Sequence, residues 1–177
     1  KPSTLPFGAP DFSKIKDSDY LPAILAGMAE QKREVAAIAN NPAAPTFNNV
    51  MVPLERSGAL LERAQLAFSA VNGANTNDTI QATDTKTAPL LAQHRDYIYL
   101  NPKLFKRVET LYNKRDSLGL NAEQKRLLQV QYDYFVKVGA KLDPAKQVQL
   151  KKLNTELSSL ETKFTQTLLA AAKDGAL

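Results

Sequence analysis

The sequence predicts an all-α fold: a multi-helix antiparallel bundle of about six helices with an extended N-terminal arm. Apolar residues recur at intervals of three and four through most of the 177-residue chain, which is the helical period. Proline, asparagine and glycine interrupt these stretches at positions typical of helix ends. The sequence contains no alternating apolar and polar run long enough for a strand, and no repeat of fixed period.

The composition is that of a globular protein, with 44% hydrophobic and 23% charged residues. The absence of cysteine excludes disulfides and thiolate metal sites from this chain. No apolar run approaches the roughly 20 residues of a membrane-spanning helix. The first ten residues also lack the apolar segment of a signal peptide.

The N-terminal arm is predicted over residues 1–16, where three prolines and one glycine disfavour regular structure. An apolar stripe then predicts the first helix, from about Ser18 to Ala39. Pro22 is tolerated in its first turn, where a missing N–H removes no hydrogen bond. The rest of the chain, residues 17–177, is interpreted as one helical domain.

A firm stop separates the first two predicted helices. Asn40 and Asn41 precede Pro42, and a residue before proline is driven out of the helical region. Thr46 is the expected N-cap of a second helix that runs to about Gly73, so the two helices form an antiparallel hairpin. We expect Pro53 to remove one hydrogen bond and to bend this second helix.

Three further helices are predicted from their capping residues. Asn75 or Thr76 caps a helix that runs to about Tyr99, interrupted by Pro89. Asn101 followed by Pro102 begins the next helix, which we expect to end at Gly119. Asn121 and Gln124 form a capping box for a helix to about Val138.

Asp143 followed by Pro144 begins the last predicted helix, which has the most regular apolar spacing in the chain. The apolar residues alternate at three and four over about six turns, as in a packing stripe. We expect the stripe to pack within the domain rather than in a coiled-coil dimer, because five other amphipathic helices need partners. Its members are Leu150, Leu153, Leu157, Leu160, Phe164, Leu168 and Ala171.

The sequence offers little catalytic chemistry. The only histidine is His94, and a single imidazole does not build a zinc site of the usual three or four ligands without nearby carboxylates. It is interpreted as a surface or helix-packing histidine. The carboxylate pairs Glu30–Glu34 and Asp17–Asp19 are explained by solvation and helix capping. No phosphate-binding glycine loop is present, and "NDT" at Asn77 is only a weak glycosylation signal.

The net charge of +5 comes from the second half of the chain, because residues 81–177 hold 16 basic and 10 acidic side chains. The basic residues alternate with acidic ones along predicted helices, which favours solvated helix faces over a nucleic-acid surface. Five tyrosines at helical spacing are interpreted as half-buried packing residues rather than base-stacking ones. They are Tyr97, Tyr99, Tyr112, Tyr132 and Tyr134.

Several motifs follow one another along the chain: "PTFNN", "ANTNDTIQ", "IYLNPKLFKRV", "KRDSLGL" and "KLNTELSSLETKFTQTLLAA". In this order they resemble the N-terminal segment of the M3 family of zinc metallopeptidases. The resemblance is greatest to its bacterial peptidyl-dipeptidase (dipeptidyl carboxypeptidase) branch, with oligopeptidase A and thimet oligopeptidase more distant. Two positions depart from that branch: Asn75 stands where histidine is common, and Pro53 where a helix former is usual.

The resemblance implies a helical N-terminal domain that packs against a larger catalytic domain, the two enclosing a narrow substrate channel. In this family the catalytic zinc is held by a His-Glu-x-x-His helix and a downstream glutamate. Residues 1–177 contain no such motif. No catalytic, cofactor-binding or metal-binding residue is therefore assigned in this chain, and zinc is expected only in the parent enzyme.

The expected function is that of a gating domain in a zinc-dependent peptidase that removes C-terminal dipeptides from oligopeptides, the chain itself being non-catalytic. The expected partners are the catalytic domain of the same parent and oligopeptide substrates, with no nucleic acid and no membrane. The chain is expected to be a monomer in the cytoplasm, or in the periplasm after loss of a signal peptide. The alternative is a freestanding helical adaptor, acting through its basic surface or as an oligomer through the last helix.

Overall fold

A computed structural model of the chain describes residues 3–175. This range forms seven α-helices and one 3-10 turn and contains no β-strand, which confirms the all-α prediction. The outermost bounds of the predicted arm and domain, residues 1 and 177, lie outside it. The elements are the 3-10 turn Pro6–Gly8, then α1 Asp17–Ala39, α2 Phe47–Arg56, α3 Ala59–Ala74, α4 Asp78–Tyr99, α5 Pro102–Asn113, α6 Ala122–Lys137 and α7 Pro144–Asp174.

Residues 3–16 form no α-helix or strand, only the 3-10 turn at Pro6–Gly8 and a turn closed by the hydrogen bond from Lys14 N–H to Asp11 O. Most of their side chains are exposed, and Phe7 stands fully in solvent. Ile15 packs against buried residues of the helical body, so this segment meets the domain just before α1 begins.

The loop between α1 and α2 ends with a reciprocal capping box, as the Thr46 prediction required. Asn49 N–H donates to the Thr46 hydroxyl at 3.1 Å, and Thr46 N–H donates to Asn49 Oδ1 at 2.8 Å. Two donors that the first turn of α2 leaves without helical partners are thereby satisfied. The chain enters α2 in one defined direction.

The second predicted helix is in fact two helices, so the prediction of one bent helix was wrong. α2 ends at Arg56, Ser57 is extended, and Gly58 adopts the left-handed conformation at φ 83°. Gly58 N–H donates to Glu34 Oε2 at 2.8 Å instead of to its own helix. Pro53 weakens α2 one turn earlier, and the bond to α1 then fixes the break.

Two other helix ends differ from the prediction by a few residues. α4 is capped by Asn77, whose Oδ1 accepts from Thr79 N–H and Ile80 N–H, while Asn75 instead follows the end of α3. α4 then continues through Pro89 without a break. α5 ends at Asn113 rather than at Gly119, because tight turns replace the helix over residues 114–119.

The remaining predicted starts are confirmed. Asn101 and Asp143 each accept from backbone N–H groups at the start of α5 and α7, with proline at the first helical position. Asn121 and Gln124 form the reciprocal box at the start of α6. These ends depend on contacts within four residues, which is why local sequence predicts them.

Two clusters of buried side chains form the core, and α1 contributes to both. One cluster joins the C-terminal half of α1 to α2, α5 and α6, and the other joins its N-terminal half to α3 and α4. The fully buried residues include Phe135, Ile24, Met51, Ile80, Leu104, Leu111 and Leu128. Within residues 3–175 no helix has the length and apolar character needed to cross a membrane.

Candidate functional site

His94 packs between helices, as predicted. It is buried in α4, and its Nε2 lies 2.7 Å from Gln31 Oε1 on α1. Gln31 Nε2 donates to the Ser57 hydroxyl at 3.4 Å, which identifies Oε1 as the acceptor and places the proton on His94 Nε2. Burial lowers the pKa of His94, and the nearby Lys32 ammonium lowers it further. A neutral imidazole held in this way joins α1 to α4.

Asp96 is a buried carboxylate that sequence reasoning missed. Asn154 Nδ2 on α7 donates to its Oδ1 at 2.8 Å, whereas Oδ2 is buried without a hydrogen-bond partner. Burial raises the pKa of Asp96, opposed by the Asn154 hydrogen bond and then by the charges of Arg95 and Lys151. No spacing rule distinguishes it in the sequence, since an aspartate in an amphipathic helix is normally solvated.

Three of the four carboxylates in the two pairs make hydrogen bonds with structural roles, and Glu30 makes none with any residue of the range 3–175. Glu34 accepts from Gly58 N–H, and Asp19 Oδ2 accepts from Lys16 N–H at 2.9 Å. Asp17 Oδ2 accepts from Asn77 Nδ2 at 2.8 Å, linking the starts of α1 and α4. In the described part of the chain, no three His, Cys, Asp or Glu side chains are grouped so that they could hold a metal ion.

Three of the five tyrosines, Tyr99, Tyr112 and Tyr132, are half-buried against the core, as predicted, whereas Tyr97 and Tyr134 are exposed. Tyr112 and Tyr132 stack with their ring centroids 3.8 Å apart, and the Arg115 guanidinium lies 4.3 Å from the Tyr112 centroid. Tyr99 packs edge-on against Tyr134 and against the buried Phe135. Rings engaged in this way are not a free platform for bases.

Five apolar side chains form an exposed row on α7, here called the α7 stripe. Each of them is between 55% and 69% exposed. The prediction that this row packs within the domain was therefore wrong for most of its length, because only Leu150 at its start is half-buried, next to Gly139. The α7 stripe consists of Leu153, Leu157, Leu160, Phe164 and Leu168.

α7 instead contacts α4 through its polar face. Asn154 binds Asp96, and three turns later Gln166 Nε2 donates to Gln81 O at 2.9 Å and to Thr85 Oγ1 at 3.0 Å. At 100° per residue, this polar face and the α7 stripe are about 140° apart around the helix. Polar bonding to α4 thus turns the apolar side of α7 away from the domain.

The chain is similar over nearly its whole length to a set of bacterial peptidases. It is 46% identical to dipeptidyl carboxypeptidase of Escherichia coli (strain K12), covering 99% of this chain and 26% of the relative. It is 45% identical to the Salmonella typhimurium protein of the same name, over the same shares. Identity to oligopeptidase A of E. coli is 25%, covering 96% of this chain and 25% of that protein. No family model matches the sequence.

The chain thus spans about a quarter of the length of the curated relatives that it matches. The matched quarter is their N-terminal part. The matched segment is helical and carries the solvent-exposed α7 stripe on the last helix that the structure describes.

Proposed function

Because the chain matches an N-terminal segment of the M3 peptidases, we propose that it is the gating domain of a zinc-dependent peptidyl-dipeptidase. Such an enzyme releases dipeptides from the C-termini of oligopeptides. The observation that carries this proposal is the 46% identity to dipeptidyl carboxypeptidase, against 25% to oligopeptidase A, over nearly the same residues. That difference supports a dipeptide-releasing parent over a more general oligopeptidase.

In this proposal the chain forms part of the substrate channel and takes no part in breaking the peptide bond. The zinc, its ligands and the water it activates belong to the catalytic domain of the parent. The helices form a wall of the substrate channel that admits short, unfolded peptides and excludes folded proteins. Movement of this wall against the catalytic domain admits substrate and releases product. In this proposal His94 and Asp96 stabilise the packing of helices, since each forms a hydrogen bond with a side chain of another helix.

The parent reaction is tested on the longer gene product that carries this sequence. The product, loaded with zinc, is given one oligopeptide with a free C-terminal carboxylate and the same peptide amidated at its C-terminus. We expect mass spectrometry to detect successive losses of two residues from the free peptide, much slower cleavage of the amide, and no cleavage after chelation of zinc. Loss of single residues, or equal internal cleavage of both peptides, would refute a peptidyl-dipeptidase.

The non-catalytic role is tested on the 177-residue chain by itself. Incubated with the same peptides and zinc, the chain is expected to leave both intact over hours. Zinc-dependent cleavage that follows the chain through purification would contradict this role. The control is the longer gene product at the same molar concentration.

We place the parent in the cytoplasm, with the periplasm as the alternative, and this is tested by cell fractionation with marker enzymes for each compartment.

A second candidate function is a helical adaptor that oligomerises through α7. The exposure of the α7 stripe is the observation that favours it. The two functions differ in what covers that stripe.

A further inference from the structure

The α7 stripe is long enough to be an interface. Its first and last members, Leu153 and Leu168, are 15 residues apart, which corresponds to about 22 Å along a helix. A continuous apolar row of this length on a folded chain is typical of a surface that another polypeptide covers.

α7 holds this row in a fixed orientation. The bonds of Asn154 to Asp96 and of Gln166 to Gln81 anchor the polar face to α4 twelve residues apart. The half-buried Ser158 and Thr162 lie between them on the same face. The α7 stripe is therefore presented outward by a helix that is anchored along its opposite side.

The charges beside the stripe disfavour a parallel dimer of this chain through α7. If Leu153, Leu157, Leu160 and Phe164 are the core of a coiled coil, the flanking positions are held by Asn154, Glu156, Glu161 and Lys163. The pair that meets in a parallel dimer is Glu156 of one chain and Glu161 of the other. In a parallel pair these two glutamates face each other across the dimer and repel. The apolar spacing also departs from the repeat after Phe164, because Thr167 occupies the next core position and Leu168 lies one residue beyond it.

The lengths of the relatives favour a different partner. The relatives continue for about three quarters of their length beyond the segment that this chain matches. α7 is the last helix described before the end of that segment. We infer that the α7 stripe binds the part of the parent protein that follows this segment, through a complementary apolar surface. This inference rests on the proposed function only in treating the chain as one part of a longer protein.

A pair of double variants of the longer gene product tests this inference. One carries Leu157→Gln and Phe164→Gln on the α7 stripe. The matched control carries Lys152→Gln and Ser159→Gln, which also introduces two glutamines seven residues apart at exposed positions of α7, on a side of the helix away from the α7 stripe, and keeps the glutamates that flank the stripe. All four side chains are exposed in this chain, so neither pair should alter its own unfolding midpoint by more than a degree or two.

The first measurement is hydrogen exchange, which needs no variant. We expect amides in the stripe region of α7 to exchange at least about tenfold more slowly in the longer gene product than in the 177-residue chain. Amides of α5, packed in the core of both, serve as the internal reference. Equal exchange of α7 in the two proteins would overturn the inference.

The second measurement is limited proteolysis of the longer gene product in increasing urea. We expect the stripe variant to release a fragment of about 20 kDa at lower urea than the wild type, and the matched control to behave as the wild type. Identical release from the two double variants would overturn the inference. The inference would also be overturned if the 177-residue chain formed a dimer, if Leu157→Gln and Phe164→Gln abolished that dimer, and if the same substitutions left the longer gene product unchanged. The partner of the α7 stripe would then be a second copy of this chain.

Peptidase assays on the same samples separate this inference from the proposed function. If the longer product releases no dipeptides but the stripe variant still loosens the segment, the function is wrong and the binding surface stands. If dipeptides are released but the stripe variant behaves like its control, the binding surface is wrong and the function stands.

Discussion

At the residue scale, Arg107 explains how the proline-rich loop between α1 and α2 is held. Its side chain is buried in α5, and Nη1 donates to Asn41 O at 2.8 Å and to Ala43 O at 3.0 Å. Nη2 donates to Asn49 Oδ1 at 3.2 Å. One planar guanidinium thus satisfies carbonyls that the loop itself leaves without partners.

Arg107→Lys should destabilise the chain although it keeps the charge. A single ammonium cannot reach all three acceptors from one position, so we expect a loss of about 1.5–3 kcal/mol in the free energy of unfolding. Urea denaturation measures this loss. The exposed Arg126→Lys on α6 is the control and should change stability by less than about 0.5 kcal/mol. Equal effects of the two variants would show that the loop does not depend on the guanidinium.

His94 should make stability fall on mild acidification. Its pKa in the folded chain is below the unfolded value of about 6.5 because the ring is buried. The unfolded chain therefore takes up the proton first, so this contribution is fully present above pH 6.5 and is lost as pH falls toward the folded pKa. We expect the difference in unfolding free energy between wild type and His94→Gln to shrink from pH 7.5 to pH 5. A constant difference would contradict this account.

At the element scale, α1 and α3 cross so closely that only glycine fits at position 27. A Cβ there would lie 2.6 Å from Leu61 Cα and 2.8 Å from Leu61 N, both backbone atoms of α3. Gly27→Ala should therefore force the helices apart and cost about 1–3 kcal/mol. Gly73→Ala, in α3 with open space around it, should instead stabilise by up to about 1 kcal/mol. Thermal unfolding of the pair measures both, and a shift of the same sign would refute the crossing argument.

How far an element could be predicted depends on the range of the contacts that define it. The starts at Asn101, Asn121 and Asp143 were predicted because each cap lies within four residues of what it bonds. The break at Gly58 was missed because it is fixed by Glu34, 24 residues away. Likewise, spacing along α7 predicts that an apolar face exists but not which neighbour covers it, and Asp96 and Gln81 on α4 select the polar face instead.

At the scale of the whole molecule, the basic excess suggests nucleic-acid binding, and the exposed α7 stripe suggests self-association. We expect both to be weak. Sedimentation of the 177-residue chain should give 19.5 kDa over a tenfold range of micromolar concentrations. Glutamates beside the α7 stripe oppose parallel pairing, and basic residues interleaved with acidic ones bind phosphate backbones weakly. A mass that rises with concentration, or salt-sensitive binding of duplex DNA, would favour the adaptor function instead.

The outward-facing row on α7 also has a consequence for biosynthesis. If about three quarters of the parent follows α7, that row leaves the ribosome on the order of a minute before the segment proposed to cover it is complete. During that interval the nascent chain displays leucine and phenylalanine side chains to the cytosol. Molecular chaperones that recognise such side chains would have an opportunity to bind at α7 before the segment proposed to cover it has been made.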